Sequence, residues 1–339
     1  MSVMTRRTLL GAIATSPLWL HSAWAQPTNL RISHQFPGGS VAEGDFRDRL
    51  CRMFAAGVER GTRGKVKFSI YPASRLMKSE AQIPALAKGA LDLSLVPLSY
   101  AGAELPEVNI GLMPGLVTSY EQGYAWKTAE IGQEFNRVLA EKGIVILSWI
   151  WQAGGVASRG KPIVTPEDAA GLKVRGGSQE MDMILKEAGA SVVSLPSNEI
   201  RGAMQKGMLD AAMTSSSSLI SFRLDEVSKA VTTARGGAYW FMLEPLLMSK
   251  ASFDRLAPEQ QAVLMKVGAD LEGFARKSAQ MDDAAVAALF QGAGGRTVDL
   301  NGDALHKWQE LARNTAWRSY AERSANCAKL LALAEKTVV

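Results

Sequence analysis

From Asn29 onward the chain alternates short strand-like runs with helix-like runs, an order that neither an all-helical nor an all-strand fold produces. Residues 30–36 and 65–71 read as strands, and between them residues 45–61 set Phe46, Leu50, Met53, Phe54 and Val58 at helical intervals. Residues 80–88 read as a second helix and 91–98 as a buried strand. This β-α-β order calls for parallel sheets covered by helices, with any ligand outside the carboxyl ends of the strands. Gln35 and Ser99 fall at such ends, as candidates for ligand contact or as packed loop residues.

The pattern continues with a long helix over 120–142, a strand over 144–151, a strand over 190–195, a strand over 209–213 and a helix over 221–233. An aromatic strand over 238–248 carries Tyr239, Trp240 and Phe241. Helical spacing is then nearly continuous over 258–291, about 50 Å at 1.5 Å per residue, long enough to brace two domains. A short strand over 297–300 and a helix over 303–337 close the chain.

The densest chemical information lies in 164–214. Thr165 is a good N-cap, Pro166 suits the first helical position, Glu167 and Asp168 complement the helix dipole, and Gly171 stops the turn. A strand follows and ends in Arg175, facing the Gly176-Gly177-Ser178 turn into a helix over 179–188. An arginine there can meet a carboxylate with its planar fork; an ordinary surface arginine is the alternative. Ser197 is placed to cap the next helix, and Thr214 opens a run of serines at a strand end opposite Arg175.

The first 25 residues read as an export signal. Arg6 and Arg7 precede an apolar run over 9–20, and Ala23-Trp24-Ala25 is a small-x-small cleavage site. The paired arginines also suit a twin-arginine signal. Cleavage leaves about 314 residues, enough for two domains, and 36 basic against 33 acidic residues, a formal charge of +3 instead of +5. So small a surplus, without a basic run interleaved with aromatics, argues against nucleic acid. Two cysteines, Cys51 and Cys327, either pair or remain as buried thiols. His34 and His306 have no ligand-type neighbours at metal spacing, so neither a metal nor a cofactor is expected.

Three blocks carry a family likeness: Thr165 to Arg175; Gly189-Ala190-Ser191-Val192-Val193-Ser194-Leu195-Pro196-Ser197-Asn198-Glu199-Ile200; and Met204-Gln205-Lys206-Gly207-Met208-Leu209-Asp210. In this order and spacing the chain resembles the solute-binding proteins of tripartite ATP-independent periplasmic (TRAP) transporters, of DctP type. The resemblance implies an α/β, two-domain periplasmic binding protein fold with discontinuous domains and a long bracing helix. It implies that Arg175 pairs with a substrate carboxylate. It sets a second arginine at the position of Gly154, and an asparagine near Thr214; this sequence departs from both. With one cation missing, and Trp149 and Trp151 nearby, the departure favours a monocarboxylate with an apolar or aromatic body, although Trp149 reads more simply as core.

The expectation is therefore a periplasmic, non-enzymatic binding protein that captures an organic anion and delivers it to the TRAP membrane permease subunits, acting as a monomer. Arg175, Thr214, Ser197, Gln152, Trp151, Gln35, Ser99 and one of Tyr239 or Trp240 would contact the ligand. The domains would comprise 26–150 with 238–275, and 151–237 with 276–339. An exported hydrolase is the main rival, opposed by the lack of a Gly-x-Ser-x-Gly elbow and the scarcity of histidine; a ligand sensor for a receptor is another.

Overall fold

The computed structural model describes residues 27–337, so the expected export signal lies outside the described residues. Twelve strands form two sheets: β1 Thr28–His34, β2 Val66–Tyr71, β3 Leu93–Leu95, β4 Ile144–Ser148, β5 Trp151–Ser158, β6 Lys173–Arg175, β7 Ser191–Val192, β8 Ala211–Ser215, β9 Ala230–Thr233, β10 Phe241–Leu243, β11 Leu246–Ser249 and β12 Arg296–Asp299. The first sheet has the order β2-β1-β3-β11-β4; the second has β12-β9-β5-β8-β6-β7, with β10 on β5.

The sheets are mixed where parallel ones are expected. β1 runs parallel to β2 and β3, and β6 parallel to β7 and β8, as β-α-β units require. β11 runs against β3 and β4, and β5 runs against β8 and β9. The reason is the chain path. A strand crossing from one lobe enters the other sheet from the edge where that sheet's own strands end, and so must point the opposite way.

Other boundaries shift for local reasons. The strand expected over 144–151 is divided between the sheets, ending at Ser148 and resuming at Trp151. The aromatic strand over 238–248 splits at Glu244 and Pro245, so Phe241–Leu243 joins the second sheet and Leu246–Ser249 the first. The helix expected over 120–142 breaks into Tyr120–Ala125 and Glu130–Glu141, and Gly132 lets the Trp126 carbonyl pack close at the break, where a Cβ would lie 2.0 Å from that oxygen. The helix expected over 221–233 is instead Ser216–Ser221 followed by strand β9. Ser197 is the first residue of a short 3-10 turn rather than its cap, the preceding residue being Pro196.

The helix Phe46–Gly61 shows the packing logic. Asp45 caps it by accepting from the Arg47 amide, and Phe46, Leu50, Phe54 and Val58 enter the core. Each such side chain contributes about 1.5–3 kcal/mol relative to exposure. The bracing element is two helices, Pro258–Asp270 and Glu272–Gly292, meeting at Leu271; the first packs on Phe46–Gly61 and β4, the second on β5, β9 and the helix Ser216–Ser221. Cys51 and Cys327 are both buried and free. No helix among the described residues is long and apolar enough to cross a membrane.

Candidate functional site

A small cavity lies between the lobes where β6 and β8 end. Pro97, Tyr100 and Leu112 approach it from the first lobe. The second lobe gives Arg175, Ser197, Thr214, Ser215 and Ser218, and the crossing segment gives Trp240, Met242 and Glu244. Its free volume is about 10 Å³, the space of a single water molecule, so the lobes are closed on one another. Polar contacts join them directly: the Ser99 hydroxyl donates to the Gly177 carbonyl (2.9 Å), and the Ser197 amide donates to the Tyr100 hydroxyl (2.8 Å).

Arg175 ends β6 and is 4% exposed. Its Nε donates to the Leu195 carbonyl (3.0 Å) and its Nη1 to the Met213 carbonyl (2.7 Å), which fixes the fork without spending its charge. Among the described residues it forms no ion pair. Gly177 explains the glycine-rich turn: its φ is +105°, and a Cβ there would lie 2.8 Å from Arg175 Nη1. The acid that feels Arg175 is Asp182 on the following helix, whose carboxyl is pushed up to about 6 by burial, with Arg175 pulling it partly back.

Gly154 is paired with Ser215 across β5 and β8, and a Cβ there would lie 2.3 Å from both the Thr214 carbonyl and the Trp240 ring. Trp240 thus fills the space into which a side chain at 154 would grow.

Four of the residues expected from sequence, Arg175, Thr214, Ser197 and Trp240, meet at this cavity. Gln152 and Gln35 stand one layer behind. Gln152 Nε2 donates to Glu244 Oε2, and Gln35 Nε2 donates to the Tyr100 hydroxyl (3.2 Å). Ser99 lines a neighbouring pocket of about 160 Å³ that shares Tyr100 and Gly177 with the cavity. Trp151 is placed in the core, edge-on to Trp126 at 5.1 Å and tight against Gly123. Tyr239 turns the other way from Trp240, stacking on Trp308 at 4.7 Å with its hydroxyl 3.1 Å from Met213 Sδ.

Sequence reasoning missed Arg47, Glu244 and Tyr100. Arg47 is fully buried; Asp45 takes it bidentately (Nε to Oδ1 2.9 Å, Nη2 to Oδ2 2.6 Å), and Glu244 Oε2 accepts from Nη1 at 3.2 Å. The same guanidinium donates to the hydroxyls of Ser215, Ser218 and Ser221 and lies 3.6 Å over the Phe36 ring. Burial works against its charge, and Asp45 and Glu244 more than offset that, so it stays charged. One signal was available: an arginine in the first turn of a helix faces the wrong end of the dipole unless something else holds it.

A larger, open groove of about 890 Å³ lies at the opposite ends of the second-sheet strands, by Ser158, Asp210 and Lys229. There Arg159 pairs with Asp210 and Arg201 with Glu226, and these arginines, like the lining Lys161 and Lys229, are exposed instead of buried.

Residues 38–323 match the family described as bacterial extracellular solute-binding protein, family 7 (DctP). The chain is 63% identical over 338 residues to a solute-binding protein of Albidiferax ferrireducens, covering 99% of this chain and 100% of that one. It is 25% identical to the C4-dicarboxylate-binding periplasmic protein DctP of Rhodobacter capsulatus, over 91% of this chain and 92% of the relative. Among solved structures, a TRAP periplasmic solute-binding protein from Rhodoferax ferrireducens, with bound malonate, superposes with a TM-score of 0.90 at 65% identity, covering 91% of this chain and 98% of that one. A galacturonate-bound TRAP protein from a Sulfitobacter, at 24% identity and a TM-score of 0.81, has the same fold over 91% of this chain and 99% of its own. The chain belongs to family 7 of the bacterial extracellular solute-binding proteins, the extracytoplasmic, DctP-like binding proteins of TRAP transporters.

Proposed function

We propose that this protein captures a compact organic carboxylate between its lobes and delivers it to TRAP permease subunits, acting as a monomer and doing no chemistry on the ligand. The observation that carries this reading is Arg175: a buried guanidinium, oriented by two carbonyls, that borders a closed cavity and forms no ion pair among the described residues. A buried charge calls for a counter-charge, and a ligand carboxylate meeting the fork would supply it. Thr214 and Ser197 stand ready as hydroxyl donors.

Trp240 beside Gly154 supports a single arginine-held carboxylate, and Pro97, Leu112, Met213 and Met242 make the walls apolar. The malonate bound by the Rhodoferax protein is small, and we narrow the expected ligand to short acids. We also take the domains to divide at the crossings, as 26–150 with 238–275 and 151–237 with 276–339, β10 alone lying on the other lobe's sheet. Closure would then be a hinge motion about the crossing strands.

The test is a thermal-shift screen of propanoate, lactate, malonate, succinate and glucuronate on the mature protein. Binding to the native state alone raises the melting temperature with ligand excess. Short acids should shift the parent protein and leave Arg175→Ala unmoved. A screen in which only glucuronate binds, or in which a ligand is recovered chemically altered, overturns the reading.

A further inference from the structure

Glu244 sits between β10 and β11, immediately before Pro245, and its carboxyl is fully buried where it lines the cavity. The two oxygens are used differently. Oε2 accepts from both Gln152 Nε2 and Arg47 Nη1, whereas Oε1 has no partner among the described residues. Trp240, also buried and lining the cavity, has an indole Nε1–H that is likewise unpartnered. Each such group costs about 1–3 kcal/mol when left without a hydrogen bond. A third unpaired atom, Gln152 Oε1, lies behind them.

We propose that Glu244 and Trp240 form a second recognition point in this cavity, a two-donor seat that selects short carboxylates carrying an acceptor oxygen at the end remote from Arg175. Because Oε2 already takes two donors, a proton on Glu244 belongs on Oε1, the free oxygen. That O–H and the indole N–H together would hold a carboxylate or carbonyl oxygen. The seat replaces the second arginine that the Trp240 ring displaces, and it does so with hydrogen-bond donors instead of charge.

Burial favours the neutral form of the Glu244 carboxyl, against the pull of Arg47. Arg47 and Asp45 face it from the helix Phe46–Gly61 and its cap, Gln152 faces it from β5 as a neutral amide, and Arg175 borders the same cavity from β6. Asp282 on the helix Glu272–Gly292 adds negative charge near Arg47. Asp45 already balances Arg47, so a second ionised acid has little to gain. Burial pushes the Glu244 carboxyl up, with Arg47 and Gln152 drawing it partly back.

The proposal rests on reading Arg175 as the carboxylate anchor, and the experiment separates the two claims. Calorimetry compares propanoate with malonate, equal in carbon number and different only at the remote end, for the parent, Glu244→Gln and Trp240→Phe. It is run at two pH values in the range where malonate is already a dianion. We expect the parent to prefer malonate by about tenfold or more, which is 1.4 kcal/mol or above. That preference should fall as pH rises and Glu244 ionises. Glu244→Gln, whose amide still donates, should keep the preference and lose its pH dependence. Trp240→Phe should lose most of the preference, read as the ratio of malonate to propanoate affinity within that variant. If both acids bind the parent equally, or if Glu244→Gln shows the parent's pH dependence, the seat is wrong and the Arg175 reading stands. If neither acid binds, both claims fall together.

Discussion

Two arginines are buried at the edges of one cavity, and the protein treats them oppositely. Arg47 is saturated from within: two carboxylates, three serine hydroxyls and an aromatic face. Arg175 receives only two backbone carbonyls and faces the cavity. A buried cation whose counter-charge is built in is structural; on the reading proposed above, one without an ion-pair partner awaits an anion. Burial alone would not separate them, since both arginines are buried and both are fixed in place.

The largest effect expected from this contrast is on folding. Arg47→Met leaves Asp45 buried without its cation and takes a donor from Glu244, and should lower unfolding free energy by about 3–5 kcal/mol in ligand-free denaturant titrations. A loss under about 1 kcal/mol would mean that the clasp is ornamental, and the contrast would lose one of its poles.

A smaller effect is expected at the turn that shapes the other pole. Gly177→Ala places a Cβ at a φ of +105° and within 2.8 Å of Arg175 Nη1. Strain of this kind costs on the order of 2 kcal/mol, and it should weaken carboxylate binding as well, because the fork must move. Unchanged affinity with reduced stability would show that the position of the guanidinium is not what the glycine protects.

Asp283 offers the mirror case, a buried acid that forms no ion pair among the described residues. Its Oδ2 accepts from the Tyr120 hydroxyl at 2.6 Å, and burial pushes the carboxyl up to about 6 from its ordinary 3.8, hydroxyl hydrogen bonds drawing it partly back. A raised carboxyl favours the protonated fold, so its contribution is fully present below pH 3.8 and is lost as pH climbs through about 6. Asp283→Asn should therefore stabilise the protein at neutral pH by roughly 1–2 kcal/mol and have no such benefit in acid. An equal effect at both pH values would mean that the carboxyl does not titrate in this window.

The Arg175 pole was legible in the sequence and the Arg47 pole was not, for a physical reason. The strand-end position of Arg175 before its glycines is local, although that pattern left an ordinary surface arginine open and the family resemblance supplied the proposed role. Arg47 acquires its meaning from Glu244, 197 residues away, a pairing that no local periodicity encodes. The alternation of elements exposed the α/β architecture, but the direction of β5 and β11 depends on where the chain crosses between lobes. That crossing also explains Trp151, read as a cleft residue from its strand: it is the first residue of β5, and its ring turns into the core against Trp126. Neighbouring residues of one aromatic run, Tyr239 and Trp240, face opposite ways, which sequence alone could only leave as alternatives. β9 was hidden because four residues, Ala230–Thr233, are too few to show a period against the helix before them.

The most direct test of the contrast is the unfolding free energy of Arg175→Met beside the parent, each measured without ligand and with saturating malonate. If Arg175 awaits its counter-charge from the ligand, removing it should cost the ligand-free protein less than about 1 kcal/mol, or even stabilise it. The stabilisation that malonate gives the parent, which grows with ligand excess, should vanish in the variant. A variant that loses about 3–5 kcal/mol without ligand, or that malonate still stabilises as it does the parent, would show that Arg175 is structural and that the anion is held elsewhere.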